Sequence, residues 1–589
     1  MPTLNELSSK TTISTMPIAL YSSKQLYAME QAWFAQGNNS FALMQQAAWQ
    51  MVKHIEILYE KKCLNEQLAK QGIASRPVNR PCRVSVWVGK GNNGGDGWLV
   101  AYYLQQRGWQ VQVITVGFEK QDFVIKDNIE SSNEDNKNPI ADATKALQLA
   151  LSADCKYRCF ENIDDRSMSA LPADVYIDAI FGIGFNRAAS AIYQQAICAF
   201  NEVTEHVKAL VIAVDIPSGL VASTGQVFER VAIAADVTLC LIARKFGLHT
   251  KDGLDYSGAV IDIPLIPHLA NNNALIPIAT LINSPYRLKP RRQNSHKGSY
   301  GHVLIIGGNC IDNSQGMGGA AILSASSAMA TGSGKITVAC HKAYHGALLT
   351  SLPDAMSMDL HDTKGVKRLI KEASVIAIGM GLGRDEKAKL LFTEYLQAAV
   401  AEGKPIIIDA DGLYHLASLH RENHMLIAEL KTHSKNYQVC LTPHSGEAAR
   451  LLNKQVNEIE NDRLAAITEC AAIYGGDWVL KGAGSLVLEQ QSTQPQVYVC
   501  GVGNAGMATA GMGDVLAGVI TGLWAQDDLK HELRSLHQAV IIHGLAGDVL
   551  VNQTRNNDDN LLSVGQRGLQ AQDMPAAIRH VMHLITDSL

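Results

Sequence analysis

Short apolar runs alternate with longer stretches along most of this 589-residue chain. The runs of the first half lie at 83–88, 110–116, 175–180, 209–214, 236–242 and 259–263, and most of the intervening stretches are long enough for a helix. A second series begins at HVLIIGG and continues with KITVAC, SVIAIG, PIIIDAD, YQVCLT and DWVLKG. Strands that alternate with helices predict a doubly wound parallel sheet. The chain is therefore expected to be an α/β protein.

The two series are separated by a stretch at 267–284 that has no hydrophobic periodicity. A chain of this length is also too long for one hydrophobic core. We therefore expect an N-terminal domain at 1–275 and a C-terminal domain at 285–589.

Within the N-terminal domain, apolar spacing predicts an amphipathic helix over 40–58, capped at its start by Ser40. The charged segment at 119–139 lacks such spacing and predicts a solvated insertion.

Composition argues against several classes of partner. A net charge of −5 gives no electrostatic basis for binding nucleic acid or an anionic membrane. No apolar run reaches the roughly 18 residues that a membrane span requires. The 11 cysteines are scattered without a zinc-site pattern, which indicates a reducing compartment such as the cytoplasm. Small molecules are the expected partners.

A glycine-rich segment, GKGNNGGDG, occupies 89–97 between a predicted strand and a predicted helix. Gly89, Gly91 and Gly94 match the GxGxxG pattern of dinucleotide-binding loops, so an NAD-dependent oxidoreductase is one interpretation. That pattern also needs an acidic residue about 20 residues further on. The nearest candidate, Glu119, lies beyond this spacing, which weakens the oxidoreductase interpretation.

The same segment carries polar side chains that a plain phosphate-binding turn does not need. Asn92, Asn93 and Asp96 present oxygen atoms, which favours a site for a polar ligand or a cation. A tight turn without any ligand is the structural alternative.

The densest motif of the second half is NAGMATAGMGDVLAGVITGL at 504–523, where a glycine-rich turn leads into an apolar helix with Asp514 at the junction. Amide groups at a helix start bind anions and stabilise the charge of a transferring phosphate. A carboxylate at that point could accept the proton of an attacking hydroxyl group. A helix cap followed by a packed small-residue face is the structural alternative.

Two further loops follow predicted strands in the second half. VLKGAGSLV at 479–487 contains Lys481, and LTPHSGEAARLL at 441–452 contains His444 and Glu447. Either could be a simple turn. Three such loops nevertheless favour a ligand site, because open α/β sheets bind ligands beyond the carboxyl ends of their strands.

Several motifs together resemble one enzyme family. In the second half, HKGSYGHVLIIGG, IGMGLGR, IIIDADGL, LTPHSGE, KGAGS and NAGMATAGMGDVLAG resemble the ribokinase-like domain of NAD(P)H-hydrate dehydratases, an α/β/α sandwich. In the first half, GNNGGDG, DAIFGIGF and VDIPSGL resemble the Rossmann-like NAD(P)H-hydrate epimerase domain that usually precedes it. The resemblance spans about 20–585 and implies a bifunctional metabolite-repair enzyme, an isomerase and a lyase.

The resemblance also implies the reactions and partners. The enzyme would epimerise the R and S hydrates of NADH and NADPH (NADHX and NADPHX) and dehydrate the S form at the expense of ADP, which gives AMP and phosphate. ADP, or alternatively ATP, would bind together with Mg²⁺, and K⁺ would bind in the epimerase domain. We also expect the protein to be a cytoplasmic homo-oligomer.

For the epimerase site, the resemblance implies Asp215 as the catalytic residue and K⁺ ligation by Asn93, Asp178 and Ser218. The expected hydrate contacts are Asn92, Asn93, Gly94, Gly95, Asp96, Gly182, Ile183, Gly184, Phe185, Asn186, Arg187, Ala188 and Asp215. Family members often have a basic residue at the place of Asn186, and here Arg187 follows it.

For the dehydratase site, the resemblance implies Asp514 as the catalytic residue. The expected hydrate contacts are Ala320, Gly383, His444 and Asp514, and the expected nucleotide contacts are Lys481, Gly482, Ala483, Gly484, Ser485 and Gly513. Two loop positions depart from the family pattern: Met380 replaces the usual Pro, and Asp354 the usual Glu.

One alternative from a different functional class stays open at the level of sequence. A ribokinase-type small-molecule kinase that releases its phosphorylated product would show the same loop glycines and the same Asp514. Its N-terminal half would then be only a ligand-binding module.

Overall fold

The structure is a computed structural model of the chain. It describes residues 16–69, 81–123, 141–160, 172–267, 276–311, 315–490, 494–551 and 564–587. Two compact units are present: Ala19–Ile278 form one, and the chain from Ala279 onward belongs to the other. No helix in the described ranges is long and apolar enough to cross a membrane.

The N-terminal unit is built on a seven-stranded parallel sheet. After the short strand β1 (Ile18–Leu20), its strands are β2 (Arg83–Val88), β3 (Gln110–Thr115), β4 (Lys156–Cys159), β5 (Val175–Ala179), β6 (Leu210–Val214), β7 (Val237–Leu241) and β8 (Ala259–Ile263). Their order is β4-β3-β2-β5-β6-β7-β8. All the apolar runs predicted for this half form strands. The exposed edge strand β4 was not predicted, because KYRC is too polar and too short to stand out.

Helices α1 (Ser23–Phe34), α2 (Ser40–Ala69), α3 (Asn92–Gln106), α4 (Asp142–Ser152), α5 (Ala191–Val207) and α6 (Gly253–Tyr256) accompany this sheet. The predicted amphipathic helix is α2, and its cap differs from the prediction. Ser40 is the first helical residue, and the side chain of Asn39 accepts the amide of Ala42 at 2.9 Å. Of the expected insertion, Lys120–Phe123 form a single 3₁₀ turn, and 124–139 lie outside the described residues.

The order of the N-terminal strands reverses between β2 and β5. The chain moves outward from β2 through β3 to β4, and then returns to the other side of β2 with β5. Connections from neighbouring strands leave in opposite directions at such a point, so a crevice opens beyond the carboxyl ends of β2 and β5. The glycine-rich segment follows β2 directly, which places it at this crevice.

The C-terminal unit contains a mixed sheet. Its strands are β9 (Ala279–Ile282), β10 (His302–Ile306), β13 (Lys335–Cys340), β14 (Met356–Asp359), β15 (Val375–Ile378), β16 (Ile406–Ile408), β17 (Val439–Leu441), β18 (Asp477–Leu480), β19 (Leu486–Gln490) and β20 (Pro495–Cys500), and a separate two-stranded ribbon joins β11 (Cys310–Ile311) to β12 (Gln315–Gly316). The strands from β9 onward lie in the order β9-β20-β19-β18-β17-β16-β15-β10-β13-β14. Those from β18 to β14 run parallel, and the order reverses beside β10.

The helices of the C-terminal unit are α7 (Gly318–Ala330), α8 (His345–Ser351), α9 (Thr363–Glu372), α10 (Glu386–Ala401), α11 (Asp411–Arg421), α12 (Leu426–His433), α13 (Ser445–Leu452), α14 (Val456–Asn461), α15 (Arg463–Tyr474), α16 (Met512–Trp524), α17 (Leu536–Val551) and α18 (Met574–Ile585). Both units are thus α/β, as predicted. The six apolar runs singled out in the second half form β10, β13, β15, β16, β17 and β18.

Helix α16, which carries Asp514, lies directly against α7. A Cβ atom on Gly518 would come within 2.2 Å of the carbonyl oxygen of Ser324, so only glycine permits this approach. The hydroxyl of Ser324 donates to the carbonyl oxygen of Asp514 at 2.8 Å. The small-residue face of α16 is therefore a packing surface that fixes the start of the helix against its neighbour.

Candidate active sites

A cavity of about 1090 Å³ lies at the crevice of the N-terminal unit. Of the hydrate contacts expected for the epimerase site, all except Gly94 and Gly95 line this cavity. Asn186 and Arg187 are both exposed at its wall, so a basic side chain is present one position after the expected one. The sequence motifs around 92–96, 182–188 and 215 thus meet at one cavity.

The glycine-rich segment is largely helical, which corrects the prediction of a loop over 89–97. Helix α3 begins at Asn92 behind Gly91. A Cβ atom on Gly94 would lie 1.8 Å from the carbonyl oxygen of Gly89, and one on Gly97 would lie 2.6 Å from the Cβ atom of Ala179. These glycines allow the helix to pack closely against the preceding turn and the strand ends.

Replacing Gly94 by Ala should destabilise the protein by about 1–3 kcal/mol, the usual cost of overpacking a filled interior. The clashing atom belongs to the backbone, which cannot rotate away as a side chain would. Gly91→Ala is the matched control, because nothing lies within 4 Å of a Cβ atom at that position. Urea unfolding of both variants measures the difference. Equal stability of the two variants would contradict the packing role of Gly94.

The three predicted cation ligands are joined by a chain of hydrogen bonds. Asn93 Nδ2 donates to the carbonyl oxygen of Phe181 at 2.7 Å, and the amide of Phe181 donates to Ser218 Oγ at 2.8 Å. Ser218 Oγ donates to Asp178 Oδ1 at 2.6 Å. These side chains come from α3, β5 and the loop after β6, so the ends of three elements gather at one point.

Asp178 is fully buried, and it accepts hydrogen bonds from the amides of Ile180 at 3.1 Å and Ser218 at 2.7 Å. Burial raises its pKa to about 6, although these hydrogen bonds act in the opposite direction. A nearby cation would offset the cost of burying the carboxylate. The group offers only hard oxygen ligands, and the described residues contain no cluster of three His, Cys, Asp or Glu side chains able to hold a metal ion.

Asp215 follows β6 at the cavity wall and adopts a left-handed backbone, with φ of 67°. Lys245 Nζ forms a close ion pair with Asp215 Oδ1, and the amide of Leu241 donates to the same oxygen at 3.0 Å. Lys245 is only 1% exposed and also donates to the carbonyl oxygen of Leu241 at 2.7 Å. Sequence reasoning missed Lys245, because no spacing in ARKFGLHT connects it with Asp215.

Two more carboxyl groups line the same cavity, those of Asp96 on α3 and Glu30 on α1. Burial, followed by the charges of Asp215 and Glu30, raises the pKa of Asp96 well above its usual range, with Lys245 opposing. Burial and the charge of Asp215 raise the pKa of Glu30 to about 7, again with Lys245 opposing. These three carboxyl groups thus line the cavity beside the buried ammonium group of Lys245, and a fourth, that of Asp142, lines it while paired with Lys145.

In the C-terminal unit, Asp514 occupies the first turn of α16, behind Gly511 with φ of 90°. Its neighbourhood is charged: Lys481 Nζ lies 2.8 Å from Asp409 Oδ1 and 3.7 Å from Glu447 Oε2. A Cβ atom on Gly513 would lie 3.0 Å from Lys481 Nζ. Lys481, Gly513 and Asp514 are thus brought together, as predicted from their motifs' positions after strands.

Burial, followed by repulsion from Asp409, raises the pKa of Asp514 to about 7, while Lys481 opposes the shift. Burial alone would lower the pKa of Lys481, but Asp409 and Glu447 hold it above its ordinary value. The site therefore pairs a permanent cation with a carboxylate able to exchange a proton near neutral pH. Asp409 was not assigned a role from the sequence, although it lies in the IIIDADGL motif.

His444 caps helix α13, and its Nδ1 accepts the amides of Gly446 at 3.0 Å and Glu447 at 3.4 Å. Glu447 returns the bond by accepting the amide of His444 at 2.9 Å. This reciprocal cap explains the SGE sequence structurally. The side chain of His444 is 60% exposed, and its Nε2 atom lies 3.5 Å from Glu447 Oε1.

Gly383 lies in the loop after β15, with φ of 90°. Its amide donates to Asp411 Oδ2 at 2.9 Å, and Arg384 Nε donates to Asp411 Oδ1 at 2.7 Å. Ala320 lies in the first turn of α7. Of the two departures from the family pattern, Met380 is fully buried and Asp354 is exposed.

Arg463, which is 3% exposed, forms hydrogen bonds with the backbone of the loop at 481–485. Arg463 Nη1 donates to the carbonyl oxygen of Ala483 at 2.6 Å, and Nη2 to that of Leu480 at 3.1 Å. Ser485 Oγ donates to the carbonyl oxygen of Gly482 at 3.0 Å. Sequence reasoning did not find Arg463, because it lies at the start of α15, far from any loop motif.

Comparison with known proteins agrees with this arrangement. Residues 40–247 match the family model of the YjeF-related protein N-terminus, and residues 303–565 match that of NAD(P)H-hydrate dehydratase. The chain is 32% identical over 520 residues to a bifunctional NAD(P)H-hydrate repair enzyme of Coxiella burnetii, covering 88% of this chain and 93% of that one. It is 34% identical over 499 residues to the corresponding enzyme of Vibrio cholerae, covering 83% and 86%.

A crystal structure of an ADP/ATP-dependent NAD(P)H-hydrate dehydratase from Bacillus subtilis, co-crystallised with ATP and Mg²⁺, is also similar. It is 25% identical, covers 51% of this chain and 99% of that chain, and has a TM-score of 0.39.

Two α/β units, each with a site beyond the carboxyl ends of its strands, define this protein as a two-domain enzyme with a YjeF-related unit ahead of an NAD(P)H-hydrate dehydratase unit. The chain belongs to the family of bifunctional NAD(P)H-hydrate repair enzymes. Its N-terminal unit is the epimerase and its C-terminal unit is the dehydratase.

Proposed function

We propose that Asp514 is the general base of the dehydratase and that ADP is its phosphoryl donor. The observation that carries this proposal is the convergence of Asp514, Lys481, Asp409 and Gly513 at the start of α16. Lys481 and the amides of the first turn would neutralise the transferring phosphate. Asp514 would accept the proton of the C6 hydroxyl as that oxygen attacks phosphorus.

The chemistry explains why a nucleotide is consumed. Hydroxide is a poor leaving group, whereas a phosphate ester at C6 leaves readily. Transfer of the β-phosphoryl group gives AMP and a phosphorylated hydrate. The ring nitrogen then drives out phosphate while C5 loses a proton, and the C5–C6 double bond of NADH or NADPH is restored. Ala320, Gly383 and His444 would contact the hydrate, and residues 481–485 with Gly513 the nucleotide.

A product assay tests this proposal. The purified chain is given the S hydrate with ADP, and AMP, free phosphate and the absorbance of the reduced nicotinamide are measured together. Equal yields of all three products are expected. A phosphorylated hydrate that accumulates without free phosphate would instead indicate a small-molecule kinase. The match to repair enzymes along both units does not favour that alternative.

In the epimerase unit, we infer that Asp215 exchanges protons with the hydrate and that the cavity wall at 92–96 and 182–188 holds it. The carboxylate is fixed at the cavity by Lys245 and the amide of Leu241. The cavity formed by these residues would therefore bind the hydrated dinucleotide as its substrate. Binding a sound cofactor for hydride transfer would leave the carboxylates of this cavity without a role.

We propose K⁺ as the cation of the group formed by Asn93, Asp178 and Ser218. Their oxygen atoms suit a hard ion, and the side-chain oxygen of Asn93 accepts no hydrogen bond within the described part of the chain. A bound K⁺ would supply positive charge beside the reacting ring.

In the dehydratase unit, we expect Mg²⁺ to accompany the nucleotide, held mainly by the phosphate oxygens.

The potassium assignment predicts a specific crystallographic result. Crystals grown in potassium should show an ion that contacts Asn93, Asp178 and Ser218, identified by its anomalous signal. Replacing Asp178 by Asn removes the one negative charge of the group and should weaken or abolish the peak. An ion bound elsewhere in the unit, with none at these three residues, would contradict the assignment.

A further inference from the structure

The epimerase cavity contains a buried ion pair between Lys245 and Asp215 that no sequence motif predicts. Lys245 is 1% exposed, and its hydrogen-bond partners are Asp215 Oδ1, the carbonyl oxygen of Leu241 and the sulfur of Cys240. A buried ammonium group is costly unless it is paired. The ion pair therefore gives the buried ammonium group its counter-charge and fixes the orientation of the Asp215 side chain.

The two oxygens of Asp215 are used differently. Oδ1 accepts from both Lys245 and the amide of Leu241. Oδ2 has no hydrogen-bond partner among the described residues, and Asp215 lines the cavity. One oxygen is thus fixed by the protein, and the other is free to take a proton from a bound molecule.

Asp96 has the opposite character. It is 8% exposed, lines the same cavity and has no side-chain hydrogen bond or ion pair within the described ranges. Burial, followed by the charges of Asp215 and Glu30, disfavours its charged form, and only the charge of Lys245 opposes this effect. A carboxyl group in such surroundings keeps its proton.

We propose that Lys245 and Asp96 complete the epimerase site around Asp215: Lys245 is a positioning residue that holds Asp215 as the base, and Asp96 is a catalytic residue that donates the complementary proton. The inference deepens the function proposed for this unit and rests on it. It assigns Lys245 a role in the reaction and gives Asp96 a role beyond contacting the substrate.

The proton transfers balance for a ring-opening route at C6, the carbon that carries the hydroxyl. Asp215 Oδ2 takes the hydroxyl proton, and the oxygen forms a double bond to C6. The C6–N1 bond breaks, its electron pair moves to N1, and N1 takes the proton of Asp96. Rotation about the C5–C6 bond presents the other face of the aldehyde, and reversal of each transfer closes the ring as the other epimer. No oxidation occurs, and both carboxyl groups return to their starting states.

The test measures conversion of the purified R hydrate to the S hydrate by chromatography, without ADP so that the dehydratase is silent. Asp96→Asn keeps the size of the side chain and its capacity to donate a hydrogen bond, but it cannot transfer a proton. We expect its kcat to fall by about 10²–10⁴-fold, with KM changed less than about threefold. The double variant with Asp215→Asn should be no slower than the worse single variant, because the two groups act as a unit.

Lys245→Met removes the buried charge at similar length. We expect a kcat loss of about 10²-fold and a rise in the pH at which activity appears, because Asp215 loses its counter-charge. A purely structural role would not move the pH profile. The matched control is Arg244→Gln, which removes a neighbouring positive charge that is paired with Asp262 and does not line the cavity. It should epimerise at the rate of the original protein.

The outcomes separate this inference from the function on which it rests. If the unmodified protein does not interconvert the epimers, the proposed function fails. If it does, and Asp96→Asn keeps kcat within about threefold, the assigned proton donor is wrong. An unchanged pH profile in Lys245→Met overturns the role of Lys245. If that variant does not fold, as judged by its melting curve, Lys245→Arg takes its place: it keeps the charge and should keep the original profile, and a shifted profile would overturn the role.

Discussion

Asp514→Asn should abolish dehydration of the S hydrate while leaving epimerisation near its original rate. Loss of a general base typically costs about 10²–10⁴-fold in rate. Asp514 is positioned for this role by the start of α16 and by Lys481 and Asp409 beside it. The measurement is formation of reduced nicotinamide from the S hydrate and ADP.

A control and a pH profile make this result specific. Asp528→Asn removes an exposed carboxylate shortly after the same helix and should have no effect. In the original protein, Asp514 with a pKa of about 7 is ionised above that pH and protonated below it. The kcat/KM of dehydration should therefore rise with pH through about 7. If the Asp514→Asn variant dehydrated the S hydrate at the full rate, the assignment of Asp514 as the general base would be wrong.

Asp215→Asn should have the reverse effect, with loss of epimerisation by about 10²–10⁴-fold and normal dehydration of the S hydrate. In a mixture of epimers with ADP, the S form should be consumed and the R form should persist. The variant also leaves Lys245 buried without its counter-charge, which costs about 3–5 kcal/mol when a buried ion pair loses one member. The melting curve must therefore show that the unit is still folded at the assay temperature.

Asp255→Asn, an exposed carboxylate on α6, is the control for this variant. It should epimerise normally. Loss of both activities in a folded Asp215→Asn protein would argue against two sites that act independently.

The α/β fold was predictable because parallel strands covered on both faces are continuous apolar runs. β5 and β6, for example, are buried along their whole length and stand out in the sequence. The hairpin of β19 and β20 was not predicted, since β20 begins with the exposed residues Pro495 and Gln496 rather than with an apolar run. Topology at the two reversals of strand order likewise depends on pairings that no local pattern encodes.

The candidate sites were predictable where a motif carried them, and not where a distant residue completes them. Asp215 and Asp514 lie in recognisable segments. Lys245 lies 30 residues from its partner Asp215 in the sequence, and Arg463 lies 20 residues from its partner Ala483. Only the fold brings each pair into contact. The start of α3 was misjudged for another reason. Glycine predicts a turn when it is judged by backbone freedom alone, whereas Gly94 and Gly97 are required by the space available.

The buried guanidinium group of Arg463 has a consequence for the opposite face of its loop. In a trans peptide the C=O and N–H bonds point in opposite directions. Because the carbonyls of Ala483 and Gly484 turn toward Arg463, the N–H bonds of Gly484 and Ser485 turn away from it. Consecutive N–H groups of this kind form a concave anion receptor. If the nucleotide binds at this loop, as proposed above, the backbone that faces its phosphate is already fixed by Arg463, so binding requires little further ordering there.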